Sequence, residues 1–261
     1  MIDVVMEKEK ILDHGYIFEV EHWGSEERII EAARMSTDKG FMGWGPTPCP
    51  DCHGGAIGTN ESGVNCNTCK GRGSIQGDEK LLKYLYDHKH ATPFEFAGLV
   101  IEVQAPIMVF REWHRHRTQS YNEMSARYTP LPDANYTPTV DRCLMVNGKN
   151  KQAGAIAGAG GLTHESVLEW LWELEKAYKV SEAAYQNGLK RGIPKELARL
   201  CVPVGRYSRM RASANLRNWL SFMTLRSAPD AQFEIRQFSH AIGRIVEKSF
   251  PRTWELFSKS H

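Results

Sequence analysis

The sequence predicts an α+β chain: helix-rich, with a small antiparallel sheet and a small four-cysteine insert. Three observations carry this. Apolar residues recur at helical spacing in several runs. A few short segments alternate apolar with polar residues. Two Cys-x-x-Cys pairs sit in a stretch with few large aliphatic residues.

Taken in order, "GYIFEVEHWG" (15–24) alternates in part and reads as a strand. Ser25 reads as an N-cap, and Glu26 and Glu27 suit the positive end of a helix that runs to about Ser36. From Thr37 to Gly77 glycine, proline, cysteine and asparagine dominate, so this segment cannot bury a core of its own and needs a staple. Asp78 starts a helix with Leu81, Leu82 and Leu85 on one face. "FEFAGLVIEVQA" (94–105) reads as a strand. Pro106 opens the next helix, which carries Ile107, Val109 and Phe110.

Residues 129–161 are rich in proline and glycine and read as a long loop. Within them AGAIAGAGG matches neither a Walker A loop nor GxGxxG, which argues against a phosphate cradle. A long helix is expected from Thr163 to about Asn187, with Gly188 as its stop. A shorter one starts at Pro194 and ends before Pro203. "GRYSRMRASA" (205–214) reads as a strand, and 215–227 and 230–250 as two further helices.

The chain has 261 residues, enough for one large domain or two small ones. A formal net charge of +2 excludes polyanion binding by the chain as a whole, so any basic function must be local. No run approaches the roughly 18 apolar residues of a membrane span. MIDVVMEKEKILDH lacks an apolar signal core, so a cytoplasmic protein without membrane contact is expected.

CPDC (49–52) and CNTC (66–69) are two knuckles whose thiolates, Cys49, Cys52, Cys66 and Cys69, suit one tetrahedral Zn2+. CNTCKGRG carries Gly71 and Gly73. CPDCHGGA carries Gly54 but has Ala56 where a second glycine would match. The pattern resembles one zinc centre of the cysteine-rich region of DnaJ-type chaperones, in which glycines let amide N–H groups point at sulfur. Two disulfides or a redox pair are the alternative, disfavoured in a cytosolic chain. Cys143 and Cys201 stand alone and read as core or incidental thiols.

RHRTQSYNEMSARY (115–128) concentrates guanidinium, imidazole, amide, hydroxyl and carboxylate groups. A nucleic-acid surface would show lysines and a wider basic field, without Glu123 in its middle. The mixture suits a small anionic ligand, with arginine forks for phosphate and mixed donors and acceptors for a ring edge. No specific nucleic acid is therefore expected.

Arg115-His116-Arg117, seven residues and then Ser125 resemble the RHRx7S signature of the flavin-dependent thymidylate synthases. HATPFE (90–95), ARMS (33–36), ARLCVP, NLRNWLSFMTLR and AQFEIRQ extend the likeness over nearly the whole chain. It implies the family's fold over residues 1–261 as a single domain, with residues 40–77 inserted as the four-cysteine segment. It also implies reductive methylation of dUMP to dTMP. The carbon comes from 5,10-methylenetetrahydrofolate and the hydride from reduced FAD, recharged by NADPH, with no cysteine nucleophile. The family assembles as a homotetramer with shared active sites.

By resemblance Arg226 is the catalytic residue, contacting the uracil and helping to ionise its N3. Glu112, Arg115, Glu123, Ser125, Arg127 and Arg199 join it around dUMP. Ser36, Thr92, Glu95, Arg115, His116, Arg117, Glu123, Asn215, Arg217 and Ser221 fall on flavin-contact positions, with His90 matching as well. There are departures. Glu112 stands where the family has glutamine, which removes amide donors and adds a negative charge unless the group is protonated or paired with an arginine. Ser221 replaces asparagine or histidine, and Asp230 replaces the histidine of some members. Two other readings remain open at this level: a zinc-dependent nucleic-acid-binding protein, and a family member without turnover kept as an interaction module.

Overall fold

A hairpin opens the described chain, β1 (Glu9–Ile11) with β2 (Gly15–Trp23), paired antiparallel with Lys10 opposite Tyr16. The computed structural model describes residues 7–54, 65–146 and 161–261. Ser25 caps α1 (Glu26–Arg34) as expected, its Oγ accepting the Arg28 N–H at 3.3 Å. A 3-10 turn over Met35–Thr37 follows. The short pair β3 (Thr47–Pro48) and β4 (Ser74–Ile75) frames the cysteine segment. Next come α2 (Glu79–Asp87), a 3-10 turn over Thr92–Phe96, β5 (Gly98–Pro106) and α3 (Ile107–Trp113). The second half holds β6 (Ser120–Glu123), α4 (Val140–Leu144), α5 (His164–Lys190), α6 (Lys195–Ala198) and β7 (Tyr207–Asn215). It ends with α7 (Leu216–Arg226), α8 (Phe233–Ser249) and α9 (Pro251–Ser260).

The result is helix-rich α+β, as the sequence predicts. Five strands form one sheet in the order β1-β2-β5-β7-β6. Alternation explains two of the three long inner strands, β5 and β7. In β5, Leu99, Ile101, Val103 and Ala105 are all 0% exposed, while the residues between them are only partly covered. In β7, Met210 and Ala212 are buried and Arg209 and Arg211 face solvent.

The chain forms two compact units. One is Met1–Glu21, Leu99–Ala214 and Ser221–Ile245; the other is His22–Gly98, Asn215–Leu220 and Val246–His261. In the first, Trp113 packs on Phe222 and Phe238, with ring centroids 4.8 and 6.2 Å away. In the second, the Glu26 carboxylate, shielded from water, accepts the Thr253 N–H at 2.5 Å and ties α1 to α9. Burial raises the Glu26 pKa against that hydrogen bond.

Several boundaries differ from the sequence reading. The strand expected over 94–105 starts at Gly98, because Thr92–Phe96 winds into a 3-10 turn with Pro93 in its first turn. The long helix does not stop at Gly188. It runs to Lys190, and Gly192, at φ +75°, supplies the left-handed exit. Gly188 serves packing instead: a Cβ there would lie 3.3 Å from the Ala198 Cβ. The short strand β6 lies inside the arginine-rich stretch, α4 lies in the supposed loop, and α9 begins where the reading stopped. Most of AGAIAGAGG, and most of the loop 137–161 to which it belongs, lie outside the described residues. Among the described residues no helix is long and apolar enough to cross a membrane.

The β1–β2 hairpin leaves no room at its second strand's first residue. A Cβ on Gly15 would lie 2.5 Å from the Ile11 carbonyl oxygen and 2.9 Å from that of Gln104. Gly15→Ala should therefore cost about 1–3 kcal/mol of stability, read as a lowered urea midpoint with an unchanged slope.

Candidate active site and metal centre

The first unit brings Glu112, His116 and Arg226 together at the end of α3. Val109, Phe110 and Trp113 face the core, which turns Glu112 toward solvent at 38% side-chain exposure. After Trp113 the chain turns sharply. The Trp113 Nε1–H donates to Gln119 Oε1 at 3.0 Å. Tyr121 donates its hydroxyl proton to the carbonyls of Trp113 (3.2 Å) and His116 (2.5 Å). These bonds fix the Arg115-His116-Arg117 turn from inside.

Arg226 ends α7 and enters this turn. Its Nε–H donates to His116 Nε2 at 2.8 Å, Nη1 to Glu112 Oε2 at 2.8 Å, and Nη2 to the Glu112 carbonyl at 3.1 Å. The His116 ring packs on Phe222, with centroids 4.7 Å apart. Burial, and then the Arg226 charge, depress the His116 pKa to about 4, against the opposing pull of Glu112. The imidazole is therefore neutral at pH 7. Because Nε2 accepts, its proton sits on Nδ1. A guanidinium has five N–H groups. Three are engaged here, leaving one on each terminal nitrogen for a ligand. Glu112, anticipated as a stray negative charge unless paired, is paired.

The other anticipated uridylate residues sit in a separate group of the same unit. Ser125 Oγ accepts the Arg127 N–H at 3.3 Å. Arg127 Nε lies 3.3 Å from Glu196 Oε2 on α6, and Lys195 donates to the Tyr128 carbonyl at 2.8 Å. Glu196 and Lys195 escaped the sequence reading, although Glu196 stands one helical turn before Arg199. Arg199 is exposed at the end of α6. Glu123 on β6 lies 4.0 Å from His114 Nε2. Arg115, Arg117 and Ser221 face solvent.

The second unit holds the remaining anticipated flavin positions. Glu95 forms an ion pair with Arg217. Asn215 Oδ1 accepts the Asn218 N–H at 2.9 Å and caps the start of α7. Thr92 is exposed at the start of its 3-10 turn. His90 donates its main-chain N–H to the Leu85 carbonyl at 2.8 Å. Ser36 is exposed, with its hydroxyl on the Ala33 carbonyl at 3.2 Å.

The four knuckle cysteines converge in the same unit. All four are buried, and their sulfurs lie within 4.8 Å of one another. Cys49–Cys66 and Cys52–Cys69 each have Sγ···Sγ of 3.7 Å. A disulfide needs about 2.05 Å, whereas Zn–S bonds of about 2.3 Å at tetrahedral angles put sulfurs about 3.8 Å apart. The donor set and its spacing fit zinc. His53 and Lys70 adopt left-handed backbone, each followed by a left-handed glycine, Gly54 or Gly71. Burial opposes ionisation of Cys69, yet hydrogen bonds from the Gly73 and Gly71 backbone help hold it down to about 7. Cys201 is exposed and Cys143 half-buried, so neither is a core thiol.

Residues 20–252 match the family described as thymidylate synthase complementing protein (Thy1). The flavin-dependent thymidylate synthase of Thermus thermophilus is 33% identical over 95% of this chain and 77% of its own length. That of Thermosipho melanesiensis is 33% identical over 96% of this chain and 93% of its own. Among solved structures, the UMP/dUMP methylase PolB of Streptomyces cacaoi, bound with 5-Br UMP, matches with a TM-score of 0.72. Its identity is 26%, covering 96% of both chains.

The His116 environment gives a direct check. Its NMR titration should fall near pH 4, and Arg226→Ala should raise that midpoint, though burial keeps it below the ordinary 6.5. A depressed histidine pKa destabilises only on the acid side. As pH falls from 6.5 toward 4 the unfolded chain takes a proton that the folded chain refuses, so stability drops across that window and the effect vanishes above it.

Proposed function

The chain belongs to the flavin-dependent thymidylate synthase family, and on that premise we propose that it converts dUMP to dTMP by reductive methylation. The observation that carries this reading is the grip on Arg226: a guanidinium fixed at three points, with two N–H groups left over. Placed against a uracil, those donors stabilise negative charge as N3 loses its proton. Arginine does so without giving up its own proton. The ring then becomes more electron-rich at C5, the carbon to be methylated. Neutral His116 orients the guanidinium without repelling it.

Ser125 and Arg127 take the phosphate, Arg199 and Arg115 complete the nucleotide pocket, and Glu112 and Glu123 border it. FAD supplies the hydride when bound, with NADPH recharging it and 5,10-methylenetetrahydrofolate giving the carbon. The flavin contacts are those the family resemblance marks: Arg115, His116, Arg117, Glu123, Ser221, Ser36, Thr92, Glu95, Asn215 and Arg217. The exposed guanidiniums of Arg115 and Arg117, which form no ion pair among the described residues, suit a diphosphate. A homotetramer with shared sites is what the family resemblance implies; on α5, Leu168 and Trp172, four residues apart on one face, are 49% and 59% exposed and available to a second copy. The site of this reading lies in the cytoplasm, where nucleotide precursors are made.

Cys49, Cys52, Cys66 and Cys69 hold one structural Zn2+ in a DnaJ-like pair of knuckles. Four thiolates leave no open position for catalysis. The segment 40–77 is then an insertion in a single catalytic domain, clipped by metal because it lacks an apolar core.

Two experiments test this. Protein supplied with FAD, NADPH, dUMP and 5,10-methylenetetrahydrofolate should give dTMP, identified by mass. Arg226→Ala should lose about 10²–10³-fold in turnover, the usual cost of one charge-stabilising donor. Elemental analysis should find one zinc per chain. Cys49→Ser should lose the metal and lower the thermal midpoint; metal loss at unchanged stability would contradict a structural clip.

A further inference from the structure

The three acceptors that hold Arg226 are not equivalent. The Glu112 carbonyl and the neutral His116 ring orient the guanidinium and carry no charge. Only the Glu112 carboxylate, on Nη1 at 2.8 Å, also neutralises it. The Arg226 side chain is 16% exposed and that of Glu112 38%, so water screens the pair only in part. A uracil that has lost its N3 proton would be drawn to Arg226 and repelled by Glu112.

We propose that Glu112 is a positioning residue that sets the charge Arg226 presents to the pyrimidine. This rests on the reading of Arg226 as the uracil contact. Glu112 holds the guanidinium plane and at the same time makes the ring anion harder to form. Ionisation of a ring on the two spare N–H groups must therefore overcome the charge of the carboxylate on Nη1. Geometry and charge are separable here. Glu112→Gln keeps an oxygen acceptor for Nη1 and leaves the main-chain carbonyl and His116 contacts in place, while removing the negative charge. The other titratable groups of these segments, Arg111, His114, Arg115, His116 and Arg117 around α3 and Asp230 after α7, are the same in both proteins.

The probe is 5-fluoro-dUMP, whose fluorine acidifies N3 and whose ultraviolet absorbance reports ionisation. The flavin-loaded protein and its variants are saturated with the nucleotide and titrated with pH. Bound to Glu112→Gln, the ring should ionise about one pH unit lower than on the unmodified protein, a tenfold gain for the anion. Glu112→Asp, which keeps the charge but draws it back from Nη1, should fall between the unmodified protein and Glu112→Gln. Equal ionisation on the unmodified protein and Glu112→Gln, or a higher midpoint on Glu112→Gln, overturns this inference alone. Failure of the unmodified protein to bind the nucleotide overturns the functional reading and the inference with it.

Discussion

Trp113 is the residue on which the candidate site turns. Its ring is fully buried between Phe222 and Phe238, and large aromatic burial of this kind dominates the energetics of a small core. It stands one residue after Glu112 and three before His116. Its indole N–H holds Gln119, and its carbonyl accepts from Tyr121. One packing event therefore sets the end of α3, the turn that follows it and the last turn of α7 beside Phe222. The polar arrangement inherits its precision from an apolar contact. Neither Glu112 nor His116 could meet Arg226 at 2.8 Å if Trp113 were free to change rotamer.

The second unit solves a different problem. Its cysteine segment has few large aliphatic side chains, and among the described residues Ile75 is the one packed against the four cysteines. What fixes the segment's neck is polar. Asp78 is fully buried, accepts from Arg34 Nε at 2.8 Å and the Met42 N–H at 2.6 Å, and donates its own N–H to the Gly43 carbonyl at 2.7 Å. A Cβ on Gly77 would strike the carbonyls of Gly43, Trp44 and Gly45, so only glycine closes the neck. Arg34 ends α1, so the cysteine segment is anchored on that helix.

Much of this was legible in the residues. The alternation of Leu99, Ile101 and Val103 gave the central strand, the Ser25 cap gave α1, and the knuckle spacing gave a thiolate cluster that the structure brings together. The 115–128 stretch announced itself by its mixture of charges. What escaped depended on long-range geometry. That Glu112 meets Arg226, 114 residues away, has no local signal; the sequence could only state that an arginine partner would resolve the misplaced charge. Gly188 read as a helix stop because glycine usually is one. Its actual reason, the approach of Ala198, belongs to tertiary packing. Glu196 was hidden because an acidic residue on a short exposed helix resembles any solvated face.

In the proposed reading the Arg226, Glu112 and His116 cluster receives the pyrimidine ring. The most direct test is the ¹⁵N resonance of His116 Nε2 in flavin-loaded protein as dUMP is added. The resonance should shift and saturate with nucleotide binding, since the ligand must take N–H groups on the guanidinium that also donates to this nitrogen. A His116 resonance that stays fixed while dUMP binds and is turned over would contradict it, and would place the ring elsewhere.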